Sequence, residues 1–441
     1  IKYIRENKEA VKKAIIDKRI VLNLDELLAL DEKRRKLIAE IDQLRAKKND
    51  IAEKMQSADA STKERLKIDG KEVKEKIAAL EKELTDAEQR YNELMLLVPN
   101  IPSKDTPVGG EQDFKVISTW GRQPKFDFPI KDHIELGKSL DILDLERGVK
   151  TAGFRGYYLK NEGALLHLGV LMLAFQKMVK KGFTPMIPPT LIKEFALIGS
   201  GHFPTGRQEI YEVEEYAPSP HPLPPGERDK GRGPETKFLV GTAEPSLLAY
   251  HVGETLEEKN LPVKLVGISP SYRREVGGYG KDTKGVYRTH EFTKVEQVVL
   301  CKDLLESEHW FTEMARIAQE LLQDLKLPHR VIQIATVEMG AGKYKMYDIE
   351  TWMPARGAYG ETHSCSNLTD WQARRLNIKY RDKAGKTEYV HTLNNTVLAS
   401  PRILIAILEN NQQKDGSVEV PKDLRDFVGE KKLTPQGSSR T

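Results

Sequence analysis

Cysteine is nearly absent: Cys301 and Cys365 are the only two in 441 residues. Two thiols cannot build a disulfide framework or a cysteine-rich zinc site, and nothing else in the chain calls for an oxidising compartment, so a cytoplasmic enzyme is expected. Long apolar runs are missing too. The longest, Gly163 to Phe175, is broken by His167 and falls short of the ~20 residues a membrane span needs, so no membrane partner is expected. The opening IKYIRENKEA is too charged for a signal peptide. Charge of one sign is also lacking, because 70 Lys+Arg against 66 Asp+Glu leave a net +4. Affinity for nucleic acid must then come from a local patch. Neither GxxxxGK[ST] nor GxGxxG occurs, which argues against P-loop and dinucleotide-binding folds.

What is present differs along the chain. Residues 1–97 contain no proline and one glycine, and their apolar positions fall at heptad spacing. Leu30, Leu37, Leu44 and Ile51 form one seam, with Ile41 and Met55 on the second; Leu66, Val73, Leu80, Ala87 and Leu94 form a seam that Ile77, Leu84 and Tyr91 accompany. Asn23 with Glu26 and Ser61 with Glu64 read as capping boxes. The short break at 57–62 can only reverse the chain, so the spacing predicts an antiparallel helical hairpin roughly 50 Å long. Its charge is uneven: 45–76 holds 10 basic and 7 acidic residues, although 30–97 is balanced at 16 of each. On charge alone the simpler reading is a solvated coiled coil, with a phosphate-binding arm as the alternative.

The Pro/Gly-rich stretch VPNIPSKDTPVGG opens a hinge assigned to 98–113, and 217–236 reads as a low-complexity surface insertion without chemistry. From 114 to 441, helices (131–147, 161–181) give way to strands (238–242, 263–275, 286–300, 330–337, 346–353). No βαβ rhythm appears, so the expectation is an α+β body with a mostly antiparallel sheet flanked by helices.

The most informative stretch is SPSYRREVGGYGKDTKGVYRTHEFTKVEQVVL at 269–300, two extended segments around a glycine-rich loop. A charged hairpin can simply be an exposed hairpin, but Arg273 can fork onto a phosphate or carboxylate, Glu275 can accept from an exocyclic amine, and Phe292 can stack on a base. The spacing RxE, loop, RxxxF resembles motif 2 of the class II aminoacyl-tRNA synthetases, and the wider context resembles the seryl-tRNA synthetases among them. GFTPMIPPTLI at 182–192, LIGSGHFP at 197–204, GTAEPSL at 241–247, YDIETWMPARGAYGETHSCSNLTDWQARRLNIKYR at 347–381 and HTLNNTVLASPRILIAILEN at 391–410 are similar to further family segments, in order. The class I signatures HxGH and KMSKS are missing.

The resemblance implies ATP-dependent activation of L-serine to seryl-adenylate, then transfer of the seryl group to the 3′ end of serine tRNA, with selenocysteine tRNA left open. It implies that Arg273, Glu361 and Arg402 are catalytic. Arg273, with Arg274 beside it, would hold the ATP α-phosphate and the serine carboxylate, Glu275 the adenine amine, and Phe292 would stack on adenine. Glu361 and Ser364 would hold magnesium, with Thr362 and His363 between them in the ATP segment; His363 is atypical and receives no individual role. Arg402, in the first turn of a helix expected to have Ser400 as N-cap and Pro401 as N1, would meet the γ-phosphate. Thr242, Ala243 and Glu244, with Glu296, Asn394 and Thr396, would form the serine pocket, together with Arg273. The implied partners are ATP, L-serine, a tRNA gripped by the arm and the motif 2 loop, and a second copy in a homodimer through the helix around Gly169–Lys181. The family's use of the arm raises the phosphate-binding reading, through Arg45, Lys47, Lys48, Lys54, Lys63, Arg65, Lys67 and Lys71. One departure stands out: the family's TLNGSGLA reads TLNNTVLA, with Asn395 and Val397 at glycine positions. If either position needs positive φ, Val397 would be strained. Two rivals remain: a paralogue that charges another amino acid or a carrier protein, and an impaired coiled-coil interaction protein. The arm argues against the first, and intact Arg273, Glu275, Glu361 and Arg402 against the second.

Overall fold

The computed structural model describes residues 1–214, 236–276 and 284–435, and divides into two compact units, 1–101 and 102–441. The insertion read at 217–236 lies outside the described residues, Thr236 aside.

In the first unit, α1 (Leu24–Ser57) and α2 (Ala60–Leu97) pack along the heptad seams, burying Leu37, Ile41 and Ile51 against Val73, Ile77, Ala87, Tyr91 and Leu94. At ~1.5 Å per residue, the 38 residues of α2 run about 57 Å. Ion pairs bridge the two helices, Arg34 to Glu88 at 2.9 Å and Arg45 to Glu81 at 2.8 Å. Asn23 caps α1, its side chain accepting from Glu26 N at 3.1 Å. The second cap differs from expectation: Asp59, not Ser61, accepts from Thr62 N at 2.8 Å, and that bond holds the Asp59 carboxyl below its usual range. An aspartate at this position meets the positive helix end with a full charge, which a serine cannot. The stretch read as a hinge is held at both ends. Val98 and Ile101 pack with the first unit's apolar cluster, whereas Ser103 N donates to Tyr344 O at 2.8 Å and Asp105 pairs with Lys345 at 2.8 Å in the second unit.

The second unit is built on an eight-stranded sheet. Its strands in chain order are β1 (Lys115–Trp120), β2 (Thr184–Met186), β3 (Val263–Tyr272), β4 (Glu291–Cys301), β5 (His329–Gln333), β6 (Lys345–Met353), β7 (Ala358–Thr369) and β8 (His391–Ser400). Their spatial order is β1-β5-β6-β7-β8-β4-β3-β2, and only β2 and β3 run parallel. The helix expected at 131–147 is two helices, His133–Ser139 and Leu145–Ala152; Asp132 and Asp144 each cap one. The sheet's central strands β7 and β8 fall within 347–381 and 391–410, where the sequence raises no expectation of these strands.

Two helices, α3 (Glu162–Lys180) and α4 (Leu304–Asp324), cover one face. Leu166, Val170, Ala174 and Met178 of α3 and Phe311, Met314, Ala318 and Leu321 of α4 meet Val295, Ile349, Cys365, Leu393 and Val397 from the strands. Among the described residues α3 alone has the length and apolarity of a membrane span, but this buried stripe identifies it as a core helix. Its polar interruption is accounted for: His167 Nδ1 lies 2.9 Å from Ser400 Oγ. Period-two alternation then sends the next residue of each strand to the opposite face, where the cavity opens. Asn395 and Val397 belong to the helix-covered face. Neither has positive φ, and Val397 is the extra residue of a bulge, since Val295 faces Leu398 while Glu296 faces Thr396. The expected strain is absent because neither position needs the left-handed region, and both are fully buried: Asn395 donates to Gln297 Oε1 at 3.0 Å, and Val397 fills core.

Candidate active site

β3 and β4 pair in continuous register from Val263↔Leu300 to Tyr272↔Glu291, so alternate residues Phe292, Lys294 and Glu296 stand in a row on the open face. β8 adds Asn394 and Thr396 beside them, and β7 adds Thr362 and Ser364, with Glu361 at its exposed start. Together with Thr242, Glu244, Arg273, Glu275 and Arg402, these line a single cavity with about 860 Å³ of empty space. Three residues from the sequence reading lie elsewhere. Ala243 is turned into an apolar cluster with Leu247 and Leu265, and the Arg274 backbone N–H donates to Glu209 O without the side chain reaching the cavity wall. His363 points to the helix-covered side, its Nδ1 2.8 Å from Thr362 Oγ1, and burial holds its imidazole at about 3. The loop of the β3–β4 hairpin, expected to touch tRNA, falls largely at 277–283, outside the described residues.

One end of the cavity suits a small zwitterion. Glu244 Oε1 accepts from Gln372 Nε2 at 2.7 Å and from Asn394 Nδ2 at 2.9 Å, and burial raises its pKa. Glu296 and Lys294 form a 2.6 Å ion pair with side chains 2% and 7% exposed, so both charges sit almost wholly out of water. Burial pushes Glu296 up and Lys294 down, each toward its neutral form, and their mutual attraction opposes both shifts. Thr396 Oγ1 is 3.5 Å from Glu296 Oε2 and 3.4 Å from Lys294 Nζ, a hydroxyl between the two charges. His202 closes this end. Its Nδ1 is 2.9 Å from Ser200 Oγ, and burial, with Arg273, Lys343 and Lys294 nearby, keeps the ring neutral at about 3.

The other end suits a nucleotide. The Arg273 guanidinium lies 5.3 Å from the Phe292 ring centre and donates from Nε to Gly241 O at 3.2 Å, so backbone fixes its direction. Glu275 adopts φ 50°, a conformation costly outside glycine, and Arg288 holds its carboxylate at 3.0 Å. Arg402 is the first residue of α5 (Arg402–Asn410), with Pro401 in the cap position; Ser400 stays in β8 and bonds His167 rather than capping. Arg402 donates to Tyr287 O at 3.0 Å and Glu361 O at 2.9 Å, which aims it across the cavity mouth.

The donors here also fit a hard divalent cation. No cluster of three or more His, Cys, Asp or Glu that could hold a metal alone exists among the described residues. Yet Asp348, register partner of Ser364, is half-buried with its Oδ1 out of solvent and unpartnered, and desolvation plus the neighbouring Glu361 charge push its pKa well up. A cation shared with phosphate oxygens would relieve that repulsion. Lys294, His202, Tyr287, Arg288 and Lys343 also line the cavity and were not singled out as site residues from sequence. The KVE alternation after Phe292 was the available signal for Lys294; the others arrive from segments whose folding back is tertiary.

On the arm, all eight expected phosphate-binding residues are exposed. Arg45, Lys54, Lys67 and Lys71 are engaged with acidic neighbours, whereas Lys47, Lys48, Lys63 and Arg65 form no ion pair among the described residues.

Comparison with known proteins gives a consistent result. Residues 1–102 match the seryl-tRNA synthetase N-terminal domain, and 229–411 match the tRNA synthetase class II core domain (G, H, P, S and T). A serine–tRNA ligase of Deinococcus radiodurans is 42% identical over 99% of both chains. The seryl-tRNA synthetase of Pyrococcus horikoshii complexed with ATP superposes with a TM-score of 0.87 at 37% identity, covering 98% of this chain and 99% of that one. The cytoplasmic serine–tRNA ligase of Naegleria fowleri in complex with AMP gives 0.82 at 28% identity, covering 99% and 97%.

Proposed function

Because the chain belongs to the seryl-tRNA synthetase family, we infer that its cavity joins L-serine to ATP and passes the seryl group to tRNA. The observation that carries this is one cavity with a zwitterion end and a nucleotide end, joined at Arg273. The serine ammonium meets Glu244, Glu296 and Thr242, and its hydroxyl meets Thr396 and Glu296. Such buried polar groups would be left unpaired by alanine, which is how a site of this kind rejects the smaller amino acid. Adenine stacks on Phe292 with its amine at Glu275, and Arg273 bridges the carboxylate and α-phosphate.

In the first step a serine carboxylate oxygen attacks the α-phosphorus, the bond to the β-phosphate bridging oxygen breaks, and pyrophosphate leaves with its negative charge facing Arg402 and Arg288. No general base is needed, since the carboxylate is already ionised; positioning and charge neutralisation carry the step. Magnesium held by Glu361 and Ser364, with Asp348 behind them, supplies further phosphate charge neutralisation when bound. In the second step a ribose hydroxyl at the tRNA 3′ end attacks the carbonyl carbon, the bond from that carbon to the α-phosphate oxygen breaks, and AMP departs while the hydroxyl proton passes to a phosphate oxygen or to water.

The basic distal half of the arm meets tRNA phosphates. Two copies associate through the outer face of α3, where Leu165, Leu168 and Met172 are exposed, with Ile187, 87% exposed, beyond β2. Serine-dependent exchange of pyrophosphate into ATP tests the activity, with threonine, alanine and cysteine as controls; exchange without serine preference would overturn it.

A further inference from the structure

His133 and Glu409 take no part in the assignment above, yet they form a polar cluster buried behind the nucleotide end. His133 opens the helix His133–Ser139 and Glu409 stands in the last turn of α5; the two are 8% and 2% exposed. Glu409 is well supplied with donors. Its Oε1 accepts from the His133 backbone N at 3.1 Å and lies 3.3 Å from His133 Nδ1, and its Oε2 accepts from Ala355 N at 3.0 Å. The other ring nitrogen reaches a different segment: Val286 N donates to His133 Nε2 at 3.3 Å. A backbone amide can only donate, so Nε2 is the acceptor and Nδ1 carries the proton, facing the carboxylate.

The segment that contains Val286 needs such an anchor. Residues 284–289 lie outside both strands of the β3–β4 hairpin, so the sheet ladder does not fix their backbone. Gly285 turns there with φ +62°, and a Cβ on it would collide with His133 Nε2, so the turn and the ring are fitted to each other. What the segment carries are contacts of the nucleotide end. Tyr287 O accepts from Arg402 Nε at 3.0 Å, the Tyr287 ring centre lies 4.6 Å from the Arg402 guanidinium, and Arg288 holds the Glu275 carboxylate at 3.0 Å. Val286, Tyr287 and Arg288 line the cavity, whereas His133 stands outside its wall. Both ends of α5 are thereby tied to one loop, Arg402 directly through Tyr287 and Glu409 through His133 and Val286.

We propose that His133 is a positioning residue for ATP, setting the 286–288 backbone from outside the cavity so that Arg402 and Glu275 meet the nucleotide. This rests on the ATP site assigned above. The serine end is held by other contacts, Glu244 with Gln372 and Asn394 and Glu296 with Lys294, so the effect belongs to ATP.

Two replacements divide the contacts of the ring. An asparagine amide stands where Nδ1 does and still serves Glu409 but stops short of Val286, whereas a glutamine amide extends to the Nε2 position and can accept from Val286 N. In His133→Asn the ATP KM of serine-dependent pyrophosphate exchange should rise about tenfold, the factor one unmade buried hydrogen bond carries, with the serine KM within about twofold of the parent. His133→Gln should return the ATP KM to within about threefold. A parental ATP KM in His133→Asn would overturn the proposal. So would equal rises for ATP and serine, or His133→Gln no better than His133→Asn, because a histidine that only supported the fold would give those results. Gly285→Ala approaches the same contact from the loop: its Cβ displaces the ring and should raise the ATP KM likewise, and an unchanged value would overturn the proposal even if His133→Asn does not fold. ATP affinity by equilibrium dialysis without serine repeats the comparison independently of the reaction. A parent protein that binds ATP but shows no serine-dependent exchange would overturn the activation reading and leave His133 to be decided by ATP affinity, and a parent that binds no ATP would overturn both.

Discussion

Replacing Lys294 by Met should destabilise the second unit in a pH-dependent way that the double replacement Lys294→Met/Glu296→Gln largely removes. The pair is 2.6 Å apart and nearly waterless, so the single change strands a buried carboxylate; such losses run about 3–5 kcal/mol. Glu296 can escape part of that cost by taking up a proton, since burial already raises its pKa and Lys294 is the largest opposing influence. The sign follows. A carboxyl whose folded pKa lies above its unfolded value of 4.5 gives stability that is present below 4.5 and lost as pH rises through the folded pKa. The deficit of Lys294→Met should thus approach ~3 kcal/mol at pH 8 and shrink toward pH 5. The double variant buries no charge at the pair and should lie within ~1 kcal/mol of the parent at both pH values. Urea titration followed by tryptophan fluorescence reads this directly, because all four tryptophans, Trp120, Trp310, Trp352 and Trp371, lie in the second unit. A deficit below ~0.5 kcal/mol at pH 8, or one that grows as pH falls, would show that the pair is not energetically coupled.

Three further outcomes are expected. Reversing Lys47, Lys48, Lys63 and Arg65 to Glu should leave pyrophosphate exchange unchanged and reduce the slope of log tRNA affinity against log salt by about 3 to 4, at ~0.7–0.9 per phosphate contact; an unchanged slope would remove the arm's tip from the interface. Leu168→Glu, on the exposed face of α3, should convert a species of about twice the 50.0 kDa chain mass into a monomer in light scattering, and a monomeric parent would end the dimer reading. Val397→Gly should cost ~1–3 kcal/mol in urea unfolding by removing a fully buried side chain while serine and ATP kinetics stay near parental; a large rise in serine KM would show that this position shapes the pocket after all.

Much of the site was legible because its residues are consecutive or alternate on strands. FxKxE at 292–296 and NxT at 394–396 each put their side chains on one face by the period of the strand alone, whereas RxE at 273–275 lies just past the end of β3 and was legible as a motif. The same period explains why Asn395 and Val397 carry no strain. Asn395 and Val397 occupy the other face, so their departure from glycine is a matter of packing against α3 and α4 and leaves the pocket lining intact. The alternation of TLNNTVLA separates the two faces, a distinction its likeness to a motif does not carry.

The helical hairpin is the part the sequence determined by itself: its contacts repeat every seven residues between neighbouring helices, so local periodicity carries the whole packing problem. In the second unit, decisive contacts join residues far apart in the chain. Glu244 meets Gln372 and Asn394, His202 meets the walls of two cavities, and Asp348 is left with its Oδ1 unpartnered beside Ser364. No local pattern encodes such meetings. Burial decides them, because a carboxylate or imidazole changes its charge state only when the closing of distant segments takes water away, and that closing exists only in the folded sheet.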